Sequence, residues 1–294
     1  MLSGTLKRMV EETIGSPVLH PHPVSGGEIS DAFRLETEEG RYFLKVRKKA
    51  PAGLFAVEAA GLTKLDVSDQ IRIPRVIAHG ITEEDKTGWI LLEWLESDPQ
   101  TPSPQAAEDL GRGLAEIHRT TAPSFGLEHD NFIGTLPQKN GYLEEWTTFY
   151  RERRLRPQIE RARRQNRLPS ARERGLTRLM DRLDEWIGYP EIQPSLLHGD
   201  LWGGNWIIDK EGVPCLIDPA TYYGHREVDL AFTQLFGGFP AAFYDAYQEA
   251  WPLDPGFEDR KPLYQLFYLL VHLNIFGESY GNGVDQVWKR FAGE

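Results

Sequence analysis

The chain has 294 residues, enough to bury a full core without disulfides or a structural metal, and as a prior enough for two domains. Its 33 Lys and Arg against 44 Asp and Glu leave a net charge of −11, which argues against general nucleic-acid binding, and a single cysteine excludes an intramolecular disulfide framework and any cysteine-cluster zinc site. Residues 1–16 carry Lys7, Arg8, Glu11 and Glu12 where a secretory segment needs an apolar core, and the most apolar run, Leu263 to Phe276, is too short and too polar to span a bilayer, so a cytoplasmic enzyme or binding protein is expected.

In chain order, Leu2, Leu6, Met9, Val10 and Ile14 fall at helical spacing and predict an amphipathic helix over the first 16 residues. Val18, Ala32–Leu35 and Tyr42–Val46 read as short strands, separated by Gly26-Gly27 and by Glu38-Glu39-Gly40. Residues 53–65 read as a helix, and Pro74–Ala78 and Trp89–Trp94 as two more strands. Residues 1–96 therefore predict a small antiparallel sheet with one inserted helix, an N-lobe. The texture then shifts. A Pro- and Ser-rich loop near 97–104 precedes a helix over 104–119, with Ser103 as N-cap and Pro104 in its first turn. Helices are further expected at 143–165, 171–187, 226–235, 241–250, 259–276 and 284–291, interrupted at 196–218 by loop, strand, turn and strand. Residues 97–294 thus predict a larger, mainly helical C-lobe. Charge is uneven: residues 151–174 hold ten Arg against three Glu, which fits helix faces whose Arg residues pair with nearby acids better than a patch for anions.

The chemistry concentrates at the interruption, His198-Gly199-Asp200-Leu201-Trp202-Gly203-Gly204-Asn205, followed by Leu216-Ile217-Asp218-Pro219. Asn205 lies five residues after Asp200, and Asp218 thirteen beyond Asn205, with two short apolar strands between. A hairpin of that length can bring a loop Asn beside a strand-end Asp. An amide oxygen and a carboxylate suit Mg²⁺, a hard cation that keeps water or phosphate in its other positions. Asp200 can take the proton of an attacking hydroxyl. Metal and base together form the toolkit of phosphoryl transfer.

His198-Gly199-Asp200-Leu201 with Asn205 resembles the kinase catalytic-loop pattern H-R-D-L-x-x-x-N, with Gly in place of Arg. Asp218 stands where the metal-binding Asp falls but is followed by Pro-Ala, departures shared by small-molecule kinases of the protein-kinase-like superfamily. The longer strings LLHGDLWGGN, LIDPATYYGHREVDLAFTQLFGGFP, SGGEISDAF, DNFIGTLPQKN and FYRERRL resemble the fructosamine kinases, or ketosamine-3-kinases, across most of the chain. The resemblance implies an α+β, protein-kinase-like two-lobe fold with ATP in the cleft and Mg²⁺ or Mn²⁺ as metal. It implies phosphorylation of a ketosamine, free or protein-bound, at its 3-hydroxyl, in deglycation. Asp200 matches the catalytic base, and Asn205 and Asp218 the metal ligands. Lys45 matches the strand lysine on the ATP phosphates, with Glu58 on the next helix as its ion-pair partner, and Gly26 and Gly27 match the phosphate-covering turn. Glu93, Trp94 and Leu95 fall at the hinge, where backbone groups bond adenine.

His198 is expected to order the loop, Asp229 to hold its backbone, and His118 to pack in the core. Of the neighbouring aromatics, Trp202 alone is expected at the substrate. Some members of the family that this chain resembles carry a cysteine in the phosphate-covering turn, where Glu28 stands here, and Cys215 lies in an apolar strand, so no disulfide-linked dimer is expected. Rival readings are another small-molecule kinase of this fold, for an aminoglycoside, choline or free sugar, and a nucleotide-binding module without activity. Neither a nucleic-acid nor a membrane partner is expected.

Overall fold

The structure, a computed structural model, describes residues 2–24, 30–97, 103–189 and 192–292. Gly26, Gly27 and most of the expected interlobe loop lie outside the described residues.

Five strands, β1 (His20–Val24), β2 (Asp31–Thr37), β3 (Gly40–Arg47), β4 (Val76–Ile81) and β5 (Gly88–Glu93), form an antiparallel sheet in the order β1-β2-β3-β5-β4. Alternation divides its faces. Phe33, Leu35, Leu44, Val46, Trp89 and Leu91 point one way and bury against Leu6 and Val10 of helix α1 (Gly4–Ile14). Ile90 and Leu92 point the other way, into the core under helix α2 (Leu54–Leu65), together with Phe55, Ala59 and Leu62. Lys45 and Arg47 share that second face of β3, towards the cleft.

From Pro104 the chain is mainly helical. Helix α3 (Pro104–Arg119) starts where expected, with the Ser103 hydroxyl accepting from the Ala106 amide at 3.1 Å. A short hairpin, β6 (Asn131–Ile133) and β7 (Leu136–Gln138), follows. The single helix expected over 143–165 is three pieces: α4 (Trp146–Phe149), a π-helical stretch (Tyr150–Leu155) and α5 (Arg156–Arg164). The wider turn brings Tyr150, Arg154 and Leu155 inward together. The helix expected over 171–187 likewise breaks into α6 (Ser170–Asp181) and α7 (Asp184–Ile187). Strands β8 (Ser195–Leu197), β9 (Trp206–Ile208), β10 (Pro214–Leu216) and β11 (Tyr222–Gly224) flank the segment 198–205; β9 pairs β10 and β8 pairs β11. Helices α8 (Glu227–Thr233), α9 (Ala241–Ala250), α10 (Phe257–Phe276) and α11 (Gly281–Ala292) complete the chain, with α10 at the centre. Among the described residues no helix is long and apolar enough to cross a membrane.

Much of the Arg-rich segment is paired. Arg151 meets Asp184 at 2.8 Å, Arg163 meets Glu173 at 2.7 Å, and Arg172 bridges Glu278 and Asp285 at 2.6 and 2.7 Å. Arg154 is fully buried over the Tyr222 ring, 3.7 Å from its centroid.

Candidate active site

Extended backbone at Lys45 and helical backbone at Glu58 aim both side chains into the cleft. Lys45 Nζ donates to Glu58 Oε1 at 3.1 Å and to Asp218 Oδ1 at 2.9 Å. Two carboxylates around one buried ammonium keep Lys45 protonated; its pKa is raised against the opposing pull of burial. The expected pair is thus present, and Lys45 also joins the sheet to the loop that follows β10.

Asp200 lies beside Asn205, whose Nδ2 donates to the Asp200 carbonyl at 2.8 Å and to Asp200 Oδ2 at 3.1 Å. With the amide nitrogen so engaged, Asn205 Oδ1 is the atom left to accept. Burial, reinforced by the Asp218 charge, pushes the Asp200 carboxyl up to about 7. A carboxyl in that range is matched to taking a proton near neutral pH. Asn205 Oδ1 and the half-exposed Asp218 carboxylate are hard oxygen donors, a set that fits Mg²⁺ or Mn²⁺.

Backbone bonds hold the loop. Asp229 on α8 accepts from the His198 amide at 2.7 Å and the Gly199 amide at 2.9 Å. His198 Nε2 donates to the Ile217 carbonyl at 2.9 Å, and its Nδ1 accepts from the Asp200 amide at 3.2 Å. Burial keeps this imidazole neutral by lowering its pKa, as its loop-ordering role requires. Gly199 explains the departure from the kinase pattern. Its φ is +81°, and a Cβ there would stand 2.2 Å from the Ala220 carbonyl oxygen, so no residue with a side chain fits.

Sequence reasoning missed three supports. His118, expected only to pack, also bonds Asp229 Oδ2 at 3.2 Å and the Tyr247 hydroxyl at 2.8 Å, with both ring nitrogens engaged. The Tyr268 hydroxyl donates to the Gly199 carbonyl at 2.9 Å. The β6–β7 hairpin braces the stretch after Asp218: Asn131 Nδ2 reaches the Thr221 carbonyl at 2.9 Å and Gln138 Nε2 the Ala220 carbonyl at 3.2 Å. Arg154 holds this hairpin through Asn140 Oδ1 at 2.8 Å. The DNFIGTLPQKN and FYRERRL strings, whose purpose the sequence does not show, are this brace.

Lys45, Glu58, Asp200, Asn205, Asp218 and Trp202 line one cavity of about 840 Å³. Phe236, Tyr268, His272, Phe276 and Tyr280 wall its far side. Trp202 is 41% exposed, its ring against Gly204, where a Cβ would stand 2.3 Å from it. Tyr222 is buried in the core instead. The expected hinge residues are not in the cavity lining. Glu93 accepts from the Arg75 amide at 3.1 Å and meets Arg72 at 3.5 Å, Trp94 lies near Phe43, and Leu95 is buried. Arg72 also pairs with buried Asp209 at 3.1 Å, tying the end of β5 to the turn between β9 and β10.

An antiparallel sheet with a strand Lys paired to a helix Glu, over a loop bearing Asp, Asn and a second Asp, defines a protein-kinase-like phosphotransferase. Solved structures agree. Aminoglycoside phosphotransferase APH(4)-Ia covers 99% of this chain at 17% identity with a TM-score of 0.68, a likeness of fold. A candidate fructosamine-3-kinase from Thermobifida fusca superposes over 99% of both chains with a TM-score of 0.87 and 35% identity. The fructosamine kinase family model matches residues 2–292, and the chain belongs to that family. Among relatives, a probable ketoamine kinase of Enterococcus faecium is 44% identical over 269 residues, covering 92% of this chain and 94% of that one. The chloroplastic protein-ribulosamine 3-kinase of Arabidopsis thaliana is 38% identical over 261 residues, covering 87% and 78%.

Proposed function

We propose that this protein is an ATP-dependent ketosamine 3-kinase. The observation that carries the reading is the convergence of Lys45, Glu58, Asp200, Asn205 and Asp218 on one cavity. ATP lies in the cleft between an N-lobe of residues 1–96 and a C-lobe of 97–294. Its adenine meets the backbone at Glu93–Leu95, and its phosphates meet Lys45. Asn205 and Asp218 hold Mg²⁺ or Mn²⁺, which when bound neutralises charge on the phosphates. Glu58 keeps the Lys45 ammonium in place.

Asp200 orients the sugar 3-hydroxyl and takes its proton as that oxygen bonds to the γ-phosphorus. The bond from the γ-phosphorus to the bridging oxygen breaks, and ADP leaves with the electron pair. The product carries a phosphate at O3; loss of a proton from C1 expels it as inorganic phosphate, and water then hydrolyses the resulting imine to free the amine. Trp202 offers a ring face to the C–H surface of the sugar. A cytoplasmic reaction is part of this reading, supported by its use of ATP. The Cys215 thiol is fully buried and pushed up to about 12 chiefly by burial, so any dimer is non-covalent.

The test is ADP release and product mass with ribulose-, erythrulose-, psicose- and fructose-lysine adducts, against an aminoglycoside, choline and free sugars. Turnover confined to the adducts is expected. Preference for an aminoglycoside or choline would replace the substrate assignment, and absence of turnover on every acceptor would leave a nucleotide-binding module.

A further inference from the structure

Arg47 ends β3 two residues beyond Lys45, so the two side chains leave the same face of the strand, their Cα atoms roughly 7 Å apart. Both line the 840 Å³ cavity. Lys45 has two carboxylate partners. Arg47 is different: its Nη1 is buried and has no hydrogen-bond partner. Among the described residues, ten buried side-chain atoms are unpartnered in this way, and only that of Arg47 belongs to a residue lining the cavity. The two carboxylates on the same wall, Glu58 and Asp218, are both taken by Lys45. A buried donor on a cation is costly to leave unbonded, so a retained one implies an anion that arrives with a ligand.

The strand register says which anion. Tyr42 of β3 pairs with Glu93, at the hinge end of β5; Lys45 pairs with Ile90; Arg47 pairs with Gly88, at the far end. On the neighbouring strand, Ala32 pairs with Lys45 and Asp31 with Val46, so β2 begins at the Arg47 end. A nucleotide with its base at the hinge therefore runs along β3 past Lys45 towards Arg47, its terminal phosphates last. We propose that Arg47 is a second phosphate-binding cation, reaching the β- and γ-phosphates of the nucleotide beside Lys45. The proposal rests on the kinase reading of the cleft. A guanidinium suits the role because its planar fork bonds two phosphate oxygens at once.

The experiment is calorimetric titration of metal-loaded protein with AMP-PNP, ADP and AMP, for wild type, Arg47→Met and Arg47→Lys. Loss of a charge-assisted contact should weaken AMP-PNP about tenfold in Arg47→Met, ADP by the same or less, and AMP not at all; Arg47→Lys should recover part of the loss. Melting without nucleotide provides the second readout. Removing an unpartnered donor should leave the Arg47→Met melting temperature at or above wild type, while shrinking the rise that AMP-PNP gives. Unchanged AMP-PNP affinity, an equal fall for all three nucleotides, or a lower melting temperature with an undiminished AMP-PNP rise would each overturn the assignment. Wild-type protein that binds none of the nucleotides would overturn the kinase reading itself, before any variant is compared.

Discussion

Replacing Asp200 with Asn should make the ligand-free protein more stable and nearly inactive. The ordinary carboxylate value of 3.8 rises to about 7 here, because burial and the Asp218 charge both oppose ionisation. The folded chain then holds this proton more tightly than the unfolded chain does. Between about pH 4 and pH 7 the native state binds more protons, and stability falls as pH rises across that window. At ~1.4 kcal/mol per pH unit the full cost is roughly 4 kcal/mol, and solvent in the cleft screens it to about 2 kcal/mol. Asn removes the charge yet keeps an oxygen to accept from Asn205. Thermal melting in EDTA without nucleotide should therefore place Asp200→Asn roughly 4 °C above wild type at pH 8. The gap should shrink to less than half at pH 5, where wild-type Asp200 is already protonated. Turnover should fall by about 10²–10⁴, the range for a positioned general base, with ATP affinity nearly intact. A variant that melts at or below wild type at pH 8, or a gap unchanged between the two pH values, would refute the strained carboxylate; half of wild-type turnover would refute the base.

Asp218→Ala should abolish turnover at saturating metal, and wild type should stop in EDTA; full activity there would remove the metal from the mechanism. Lys45→Ala should cost more turnover than Glu58→Ala, and the double variant should fall short of their sum by more than about 0.5 kcal/mol, since Glu58 acts by holding Lys45 at 3.1 Å; strict additivity would mean the pair is not one unit. Gly204→Ala pushes the Trp202 ring off its seat, so it should raise KM for the ketosamine about tenfold and leave nucleotide affinity alone. In a Trp202→Ala background it should be silent, and an equal effect there would show that the glycine acts on something else.

The parts of this protein whose chemistry resides in a side chain were legible. Helix α9 runs over the predicted residues 241–250 and α3 over 104–119, because their apolar positions repeat at helical spacing and Ser103-Pro104 marks the start. Strand β1 was misplaced at Val18, since His20-Pro21-His22-Pro23 is mostly exposed and shows no alternation; an edge strand tolerates such a sequence, and Val18 itself buries under α1. The π-helical stretch was invisible because the sequence there still satisfies an ordinary helical period. Strand β4 slips forward from Pro74–Ala78 to Val76–Ile81, with a bulge between Val76 and Ala78.

The same division runs through the site. That Asp200, Asn205, Asp218, Lys45 and Glu58 share one cavity was readable because the proton transfer, metal ligation and charge pairing proposed for them call for those residue types. The groups that hold them act mostly on backbone amides and carbonyls, and a carbonyl carries no residue signature. Asn131 and Gln138 reach the carbonyls of Thr221 and Ala220 across more than eighty positions, and Tyr268 reaches that of Gly199 across 69. Gly199 is where the two kinds of information meet. In the sequence it is a missing arginine; in the fold it is a left-handed residue pressed against Ala220, with its amide on Asp229 and its carbonyl on Tyr268. An arginine there could not enter without displacing Ala220, two residues after Asp218. The loop is therefore held by Asp229 through main-chain amides, and Asp229 in turn by His118. This anchoring keeps Asp200 and Asp218 in register, and it asks of position 199 only that it carry no side chain.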